Sequence, residues 1–441
     1  AHQQDITDAY VAVNATSFSV PNAALYSVGD EIEIARPSTE SWIKTLGTDH
    51  FGGGITSLGW KPGQRDVLWR RQITKIKGNT LTIDAPITTA LDQTFGTSRV
   101  QKFTWPGRIQ QVGVENINLT SSFDQGNPKD EDHRWMGISI ADAANVWVRR
   151  VQFKHFAGSA VSALATASKV TVEDCVSLAP VSEIGGQRRY TFYTKGQQTL
   201  FQRLYAEHGY HDFAAGYLAA GPNAFVQCQA IEPHSFSGAI DSWSSGSLFD
   251  VMDIDAQALR FDNRGQDGQG AGWTAANSVF WQCSAAVVAC YQPPTAQNWA
   301  FGVWAQFQGD GFWDQSNEYI KPRSLYYAQL QERLGETAKQ RAVLLPVLTE
   351  ASSSPPVETA MELTRQSTQP AMPLREFIQQ SANRETFDGK KSGLKTFDQL
   401  PTVLKETPPA APDMKPFNGW PVRGNTLLVW HHVHQHLNRY F

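Results

Sequence analysis

Charge is scarce in this chain, and so are cysteine and long apolar runs. Only 18% of the 441 residues are Asp, Glu, Lys or Arg, whereas Gly and Pro number 34 and 23. Helical bundles carry more charge and less glycine, so this balance favours strands and turns. The formal net charge of −4 lacks the basic excess that nucleic acid or an anionic membrane surface selects, and neither is expected as a partner. No apolar run approaches the ~20 residues of a membrane-spanning helix. The four cysteines include no Cys-x-x-Cys pair, which argues against a zinc site. No Rossmann fingerprint, phosphate-binding loop or zinc-protease signature is present.

What the chain does have is a repeated strand phrase. It reads Gly113-Val114-Glu115-Asn116-Ile117, then Trp147-Val148-Arg149-Arg150-Val151, then Thr171-Val172-Glu173-Asp174-Cys175. It returns at Leu200–Leu204, Ala224–Cys228, Leu248–Val251 and Val279–Cys283. The phrases end at residues 117, 151, 175, 204, 228, 251 and 283, in steps of 34, 24, 29, 24, 23 and 32. One short apolar strand per unit at this period marks a solenoid, whose units must stack because none buries its apolar face alone. Parallel crossovers prefer one hand, so the expectation is all-β, a right-handed parallel β-helix. The phrase ends should form one inward column, in which Cys175, Cys228 and Cys283 are small buried hydrophobes rather than disulfide partners.

Three segments follow. Residues 1–110 read as a β-rich N-terminal cap, with short alternating strands at 17–20, 31–34 and 79–83. Residues 111–320 carry the repeat. Residues 321–441 open with a helical period over Leu325–Leu334 that stops at Gly335, followed by Pro-rich stretches and a final strand pair near 417–430. Within that tail His432, His434 and His436 would share one side of a strand; a solvent-exposed tail is the preferred reading over a metal site. The chain begins Ala1-His2-Gln3-Gln4, as expected of a mature chain after signal cleavage.

Equal offsets from equal rungs lie on one face of a solenoid, which gathers scattered polar residues into a candidate groove. His155 follows its rung by four residues, His208 by four and His234 by six. The segment Glu207-His208-Gly209-Tyr210-His211-Asp212 packs polar side chains where a simple coil needs none. Around it come His133, Arg134, Trp135, Glu183, Arg188, Arg189, Tyr190, Asp262 and Arg264. Trp243 and Trp273 are candidate platforms for sugar rings, since flat aromatic faces suit their apolar sides. Splitting a uronic acid polymer by β-elimination needs a cation on the carboxylate, a base for the C5 proton and an acid for the leaving oxygen. Arg supplies the first bidentately, and His, Tyr, Lys or Arg can supply the base. Hydrolysis would instead need two carboxylates flanking the bond, from Glu183, Glu207, Asp212 and Asp262.

Residues Val146 to Arg323 resemble a bacterial group of right-handed β-helix proteins in the pectin-lyase-like superfamily. The carrying residues are Phe156–Val161, Val172–Cys175, Ser182–Gly186, Glu207–Phe213, Gly221–Phe225, and Asn263-Arg264 through Gly272-Trp273. The resemblance implies the fold and a polysaccharide partner. It does not fix the reaction, because that superfamily includes lyases, hydrolases, epimerases and inert adhesins. The Asn-Thr-Asp, Asp-Asp and Gly-His-Gly pattern of polygalacturonases is missing, and so is the calcium-binding Asp cluster of common pectate lyases. The expected function is a secreted or periplasmic bacterial enzyme acting on an acidic polysaccharide. Lyase is favoured over hydrolase because His, Arg and Tyr outnumber carboxylates; a non-catalytic carbohydrate-binding or adhesin solenoid is the third reading. His208, His211, Arg188, Glu207 and Asp212 are the expected catalytic group. No cofactor is expected, with calcium as the open alternative.

Overall fold

The computed structural model describes residues 3–52, 58–335, 344–345, 357–358, 361, 365 and 372–383. The proposed His432, His434 and His436 strand and the strand pair near 417–430 lie outside them.

The repeat region is a parallel β-helix. Its strands form one 18-stranded sheet in which every registered pairing is parallel. Four long strands, Ala143–Lys154, Ser168–Leu178, Gln197–Glu207 and Ala220–Ile231, stack on one another. Each is bent in its middle by a residue with positive φ, Arg150 at 54°, Asp174 at 54°, Arg203 at 51° and Gln227 at 53°, and the first three carry another near their start, at Asn145, Lys169 and Gln198. The bends fall in register, so each long strand contributes one half to a second face and the other to a third. The first face is built from short strands, Ser159–Ala163, Phe192–Thr194, Phe213–Ala215 and Ser237–Ala239. It continues through the end of Asp253–Phe261, where Gly238 pairs with Arg260.

The inward column begins as expected and then departs by one residue. Ile117 pairs with Val151, Cys175 with Leu204, and Leu204 with Cys228. The next coil sets Gln229 opposite Asp253 and then Asp253 opposite Ser284, which places Met252 between Cys228 and Cys283. Val251, the expected rung, is instead the corner residue with φ 55°. Val251 and Met252 are adjacent apolar residues, and an apolar pattern alone does not tell the corner from the rung. Ile117 holds its register but is 41% exposed, because the strand Ile109–Thr120 is the first coil of the stack. The column is backed by stacked rings on successive coils: Phe201 on Phe225 at 4.9 Å, Phe225 on Phe249 at 4.8 Å and Phe261 on Phe280 at 3.7 Å.

Residues up to Lys102 form a six-stranded antiparallel sheet around Ile32, Ile34, Val67, Trp69, Leu81 and Val100. This unit lies along the turns that follow the first face. Arg71 donates to the Gly221 carbonyl at 2.7 Å, Trp60 Nε1 to the Gly270 carbonyl at 2.8 Å and Asn277 Nδ2 to the Thr88 carbonyl at 2.9 Å. Its core is continuous with Ala220, Trp243, Ala276 and Ala296 of the solenoid. The helix Leu325–Leu334 packs on the second face against Leu200, Val226 and Leu248. The short helix Leu374–Gln379 packs on the third against Val176, Leu178 and Tyr205. Among the described residues no helix covers the first face.

Candidate functional site on the open first face

The first face is flanked on one side by the loops that lead into its strands and on the other by the N-terminal unit. Its floor holds small residues in register, Ser139, Ser162, Ala214 and Gly238, with Tyr193 standing opposite Ser162 and Ala214. A side chain at Gly216 would meet the Tyr193 hydroxyl at 2.2 Å, so that glycine is what lets the ring lie down across the face. Tyr190 meets Tyr193 edge-on at 5.6 Å and His211 at 5.0 Å, and His211 meets Phe236 at 4.4 Å. The guanidinium groups of Arg260 and Arg264 lie over the Phe236 ring at 4.4 and 5.3 Å. Lys195 lies over the Tyr193 ring at 5.6 Å.

Asp241 is the carboxylate common to this group. Its Oδ1 accepts from the backbone N–H of Ser242 at 2.7 Å and from its hydroxyl at 3.2 Å. Burial holds the phenols of Tyr190, Tyr193 and Tyr217 above the ordinary tyrosine range, and Asp241 pushes all three further up. These tyrosines therefore stay protonated and are hydrogen-bond donors at neutral pH. Asp262 lies one coil beyond Ile240, with Arg260 Nε on its Oδ2 at 2.7 Å, while its Oδ1 is buried without a protein partner. The Ser162 hydroxyl is likewise buried and unpartnered.

The expected site residues fall into several groups. His211, Tyr190, Arg264 and Asp262 are at the first face. His211 is buried and its Nδ1–H donates to the Phe236 carbonyl at 2.6 Å; burial lowers its pKa to about 3, so its ring is neutral. Asp212 lies beside it, wholly buried, taking the Thr191 hydroxyl at 2.5 Å. Burial raises the Asp212 pKa to about 7 despite that bond and the nearby Arg189.

Arg188 and Glu131 form a bidentate pair in the loop wall, with Nη2 to Oε2 at 2.8 Å, and the guanidinium sits over Trp135. Arg189 is 7% exposed and spends its donors on Ser182 Oγ, the Ser182 carbonyl and the His208 carbonyl. His133 bonds Ser121 Oγ and two carbonyls, and His155 bonds the Ser121 carbonyl. Arg134 is exposed, and Glu183 is exposed on Lys129 at 3.1 Å. His208 faces Glu232 at 3.4 Å near His234, at corner positions. His155 and His208 share their offset because both are left-handed corner residues, with φ 68° and 56°.

Three residues are placed away from the face. Glu207 turns to the third face, toward Tyr205 and Arg375. Trp243 is wholly buried against Trp42 and Thr89, and Trp273 donates to the Leu46 carbonyl. Both rings fasten the N-terminal unit; Trp243 is wholly buried and has no face for a sugar, and Trp273 is partly exposed. Sequence reading missed Tyr193, Lys195, Tyr217, Asp241, Arg260 and Arg65. Tyr193 and Arg260 lie in first-face strands and Lys195, Tyr217 and Asp241 just beyond them, strands too short to carry a phrase to align, and Arg65 comes from the N-terminal unit.

A family model described as a domain of unknown function (DUF6298) matches residues 311–437. That span leaves the first face almost wholly outside the match. No curated protein matches the chain. Among solved structures, the Gp54 tailspike of Acinetobacter baumannii bacteriophage AP22, in complex with A. baumannii capsular saccharide, is 7% identical with a TM-score of 0.33, covering 71% of this chain and 60% of that one. The Pseudomonas phage phi297 tailspike gp61 is 9% identical with a TM-score of 0.31, covering 72% and 60%. The tailspike gp49 of Pseudomonas phage LKA1 is 10% identical with a TM-score of 0.26, covering 70% and 59%. The chain spans under two thirds of the length of each.

Proposed function

We propose that this chain binds an acidic, uronate-containing polysaccharide along the first face of the solenoid and cleaves it by β-elimination. The observation that carries the reading is Arg264. Of the four arginines expected at the site, Arg188 is taken by Glu131, Arg189 is buried among carbonyls, and Arg134 is exposed on the loop wall, which leaves Arg264 as the one held at the first face without an acid partner. Arg264 donates to the Ile240 carbonyl and lies over Phe236, and no carboxylate among the described residues pairs with it. A planar fork held in place on an open face suits a substrate carboxylate.

In the step proposed, Arg264 neutralises the C6 carboxylate, which makes the C5 proton acidic. The free oxygen of Asp241 takes that proton. The Tyr193 phenol gives its proton to the departing O4 oxygen. The C4–O4 bond breaks as the C4–C5 double bond forms. A secreted or periplasmic location accompanies this reading, because that is where such polymers are met.

A hydrolase reading rests on Asp241 and Asp262, which the pairing of Gly238 with Arg260 brings to adjacent coils. Digestion of a panel of uronate polymers tests both. Short-wavelength ultraviolet absorbance of an unsaturated product supports elimination, and new reducing ends without it support hydrolysis. Retention without either product leaves a binding solenoid. Arg264→Ala is expected to lower turnover by about 100-fold; wild-type turnover in that variant removes it from the mechanism.

A further inference from the structure

Arg65 belongs to the N-terminal unit but reaches the solenoid turn that carries Asp241. Its Nε donates to Ser242 Oγ at 3.1 Å and its Nη1 to the Tyr217 hydroxyl at 3.1 Å. The guanidinium is held between two rings, with Trp60 at 5.3 Å and Tyr217 at 4.8 Å. Trp60 is itself anchored, buried at 1% exposure and bonded to the Gly270 carbonyl. Tyr217 is fixed by donating to the Gln64 carbonyl at 2.7 Å. No carboxylate among the described residues lies within ion-pair distance of Arg65, and Nη2 has no protein acceptor there.

Arg264 grips the Ile240 carbonyl of the same turn. Two guanidinium groups without acid partners, from separate units, thus flank Asp241 across Ile240-Asp241-Ser242. Two residues of extended chain span roughly 7 Å. A domain boundary needs no such arrangement for cohesion; the rings of Trp42, Trp60 and Trp273, bonded to the Thr295 hydroxyl and the Gly270 and Leu46 carbonyls, already supply that.

Building on the reading above, we propose that Arg65 is a second carboxylate-binding residue, so that the substrate carries carboxylates on consecutive sugars. The N-terminal unit is then part of the substrate site. A polymer whose uronates alternate with uncharged sugars fills the Arg264 position and leaves Arg65 empty.

The test measures affinity of the full chain for two kinds of probe. Polygalacturonate and polymannuronate present consecutive uronates; hyaluronan presents alternating ones. Arg65→Ala and Arg65→Lys are compared with wild type and with Arg264→Ala, and each melting temperature is recorded. Arg65→Ala is expected to weaken binding of a consecutive-uronate probe about tenfold while leaving hyaluronan unchanged. Arg65→Lys keeps the charge and the contact with the turn but loses the fork, and is expected to weaken it nearly as much. Unchanged affinity for all probes in both variants, with or without a lowered melting temperature, overturns the role of Arg65 and leaves Arg264 standing. Failure of the wild-type chain to bind any of the probes overturns both readings.

Discussion

Arg188, Arg189 and Arg264 are equivalent as letters, and only their surroundings separate them. Sequence supplied their loops but not Glu131, which reaches Arg188 from another coil. The same holds for histidine. His208 stood out by its offset, yet that offset reports a corner with positive φ, where His is several-fold enriched for local reasons. Its ring faces Glu232 at a partly exposed position, so His208→Ala is expected to leave turnover on a uronate polymer within about threefold of wild type. A 100-fold loss would return it to the mechanism.

Asp250 is wholly buried, accepting the Ser324 hydroxyl at 2.6 Å and the Tyr326 N–H at 2.8 Å, and burial still raises its pKa to about 7. Its folded pKa exceeds its unfolded one, so its share of stability is full below about pH 4 and is lost as pH rises to about 7. Asp250→Asn should flatten the fall in unfolding free energy between about pH 5 and 7.5 by a few kcal/mol. An unchanged slope in denaturant titrations would contradict the assignment.

At the scale of the element, the long strands were legible because their phrase repeats, and their faces were legible because Val, Leu, Ile and Cys alternate within it. What the phrase hid was its own corner. Asn116, Arg150, Asp174, Arg203, Gln227 and Gln282 are polar at the bend, and Val251 alone imitates a rung. The corner also builds a buried ionic knot. Arg203 pairs with Asp174 at 2.9 Å and Glu173 at 3.1 Å and donates to the Tyr327 hydroxyl at 3.1 Å, which ties the helix Leu325–Leu334 to the solenoid. Removing one partner leaves the others buried and uncompensated, so Arg203→Ala is expected to cost about 3–5 kcal/mol in equilibrium unfolding. A loss within about 0.5 kcal/mol would show the knot to be a solvated surface pair.

Over the whole molecule, the solenoid and its strand order follow from the repeat, whereas the site depends on what lies beside it. The candidate strip was drawn along loops after each rung, and the structure shows most of those side chains fastening the wall. The open face lies next to them, on short strands such as Phe192–Thr194 and Phe213–Ala215, too brief to show a period. Its far wall comes from residues 60–66, more than 100 positions away from Tyr193 in sequence, and no local pattern could join them. The central claim is that this face recognises substrate carboxylates through Arg264. The most direct measurement compares initial rates of wild-type chain on a uronate polymer and on its carboxyl-reduced form, read as new chain ends. The account predicts cleavage of the first and about 100-fold less of the second; equal cleavage of both would contradict it.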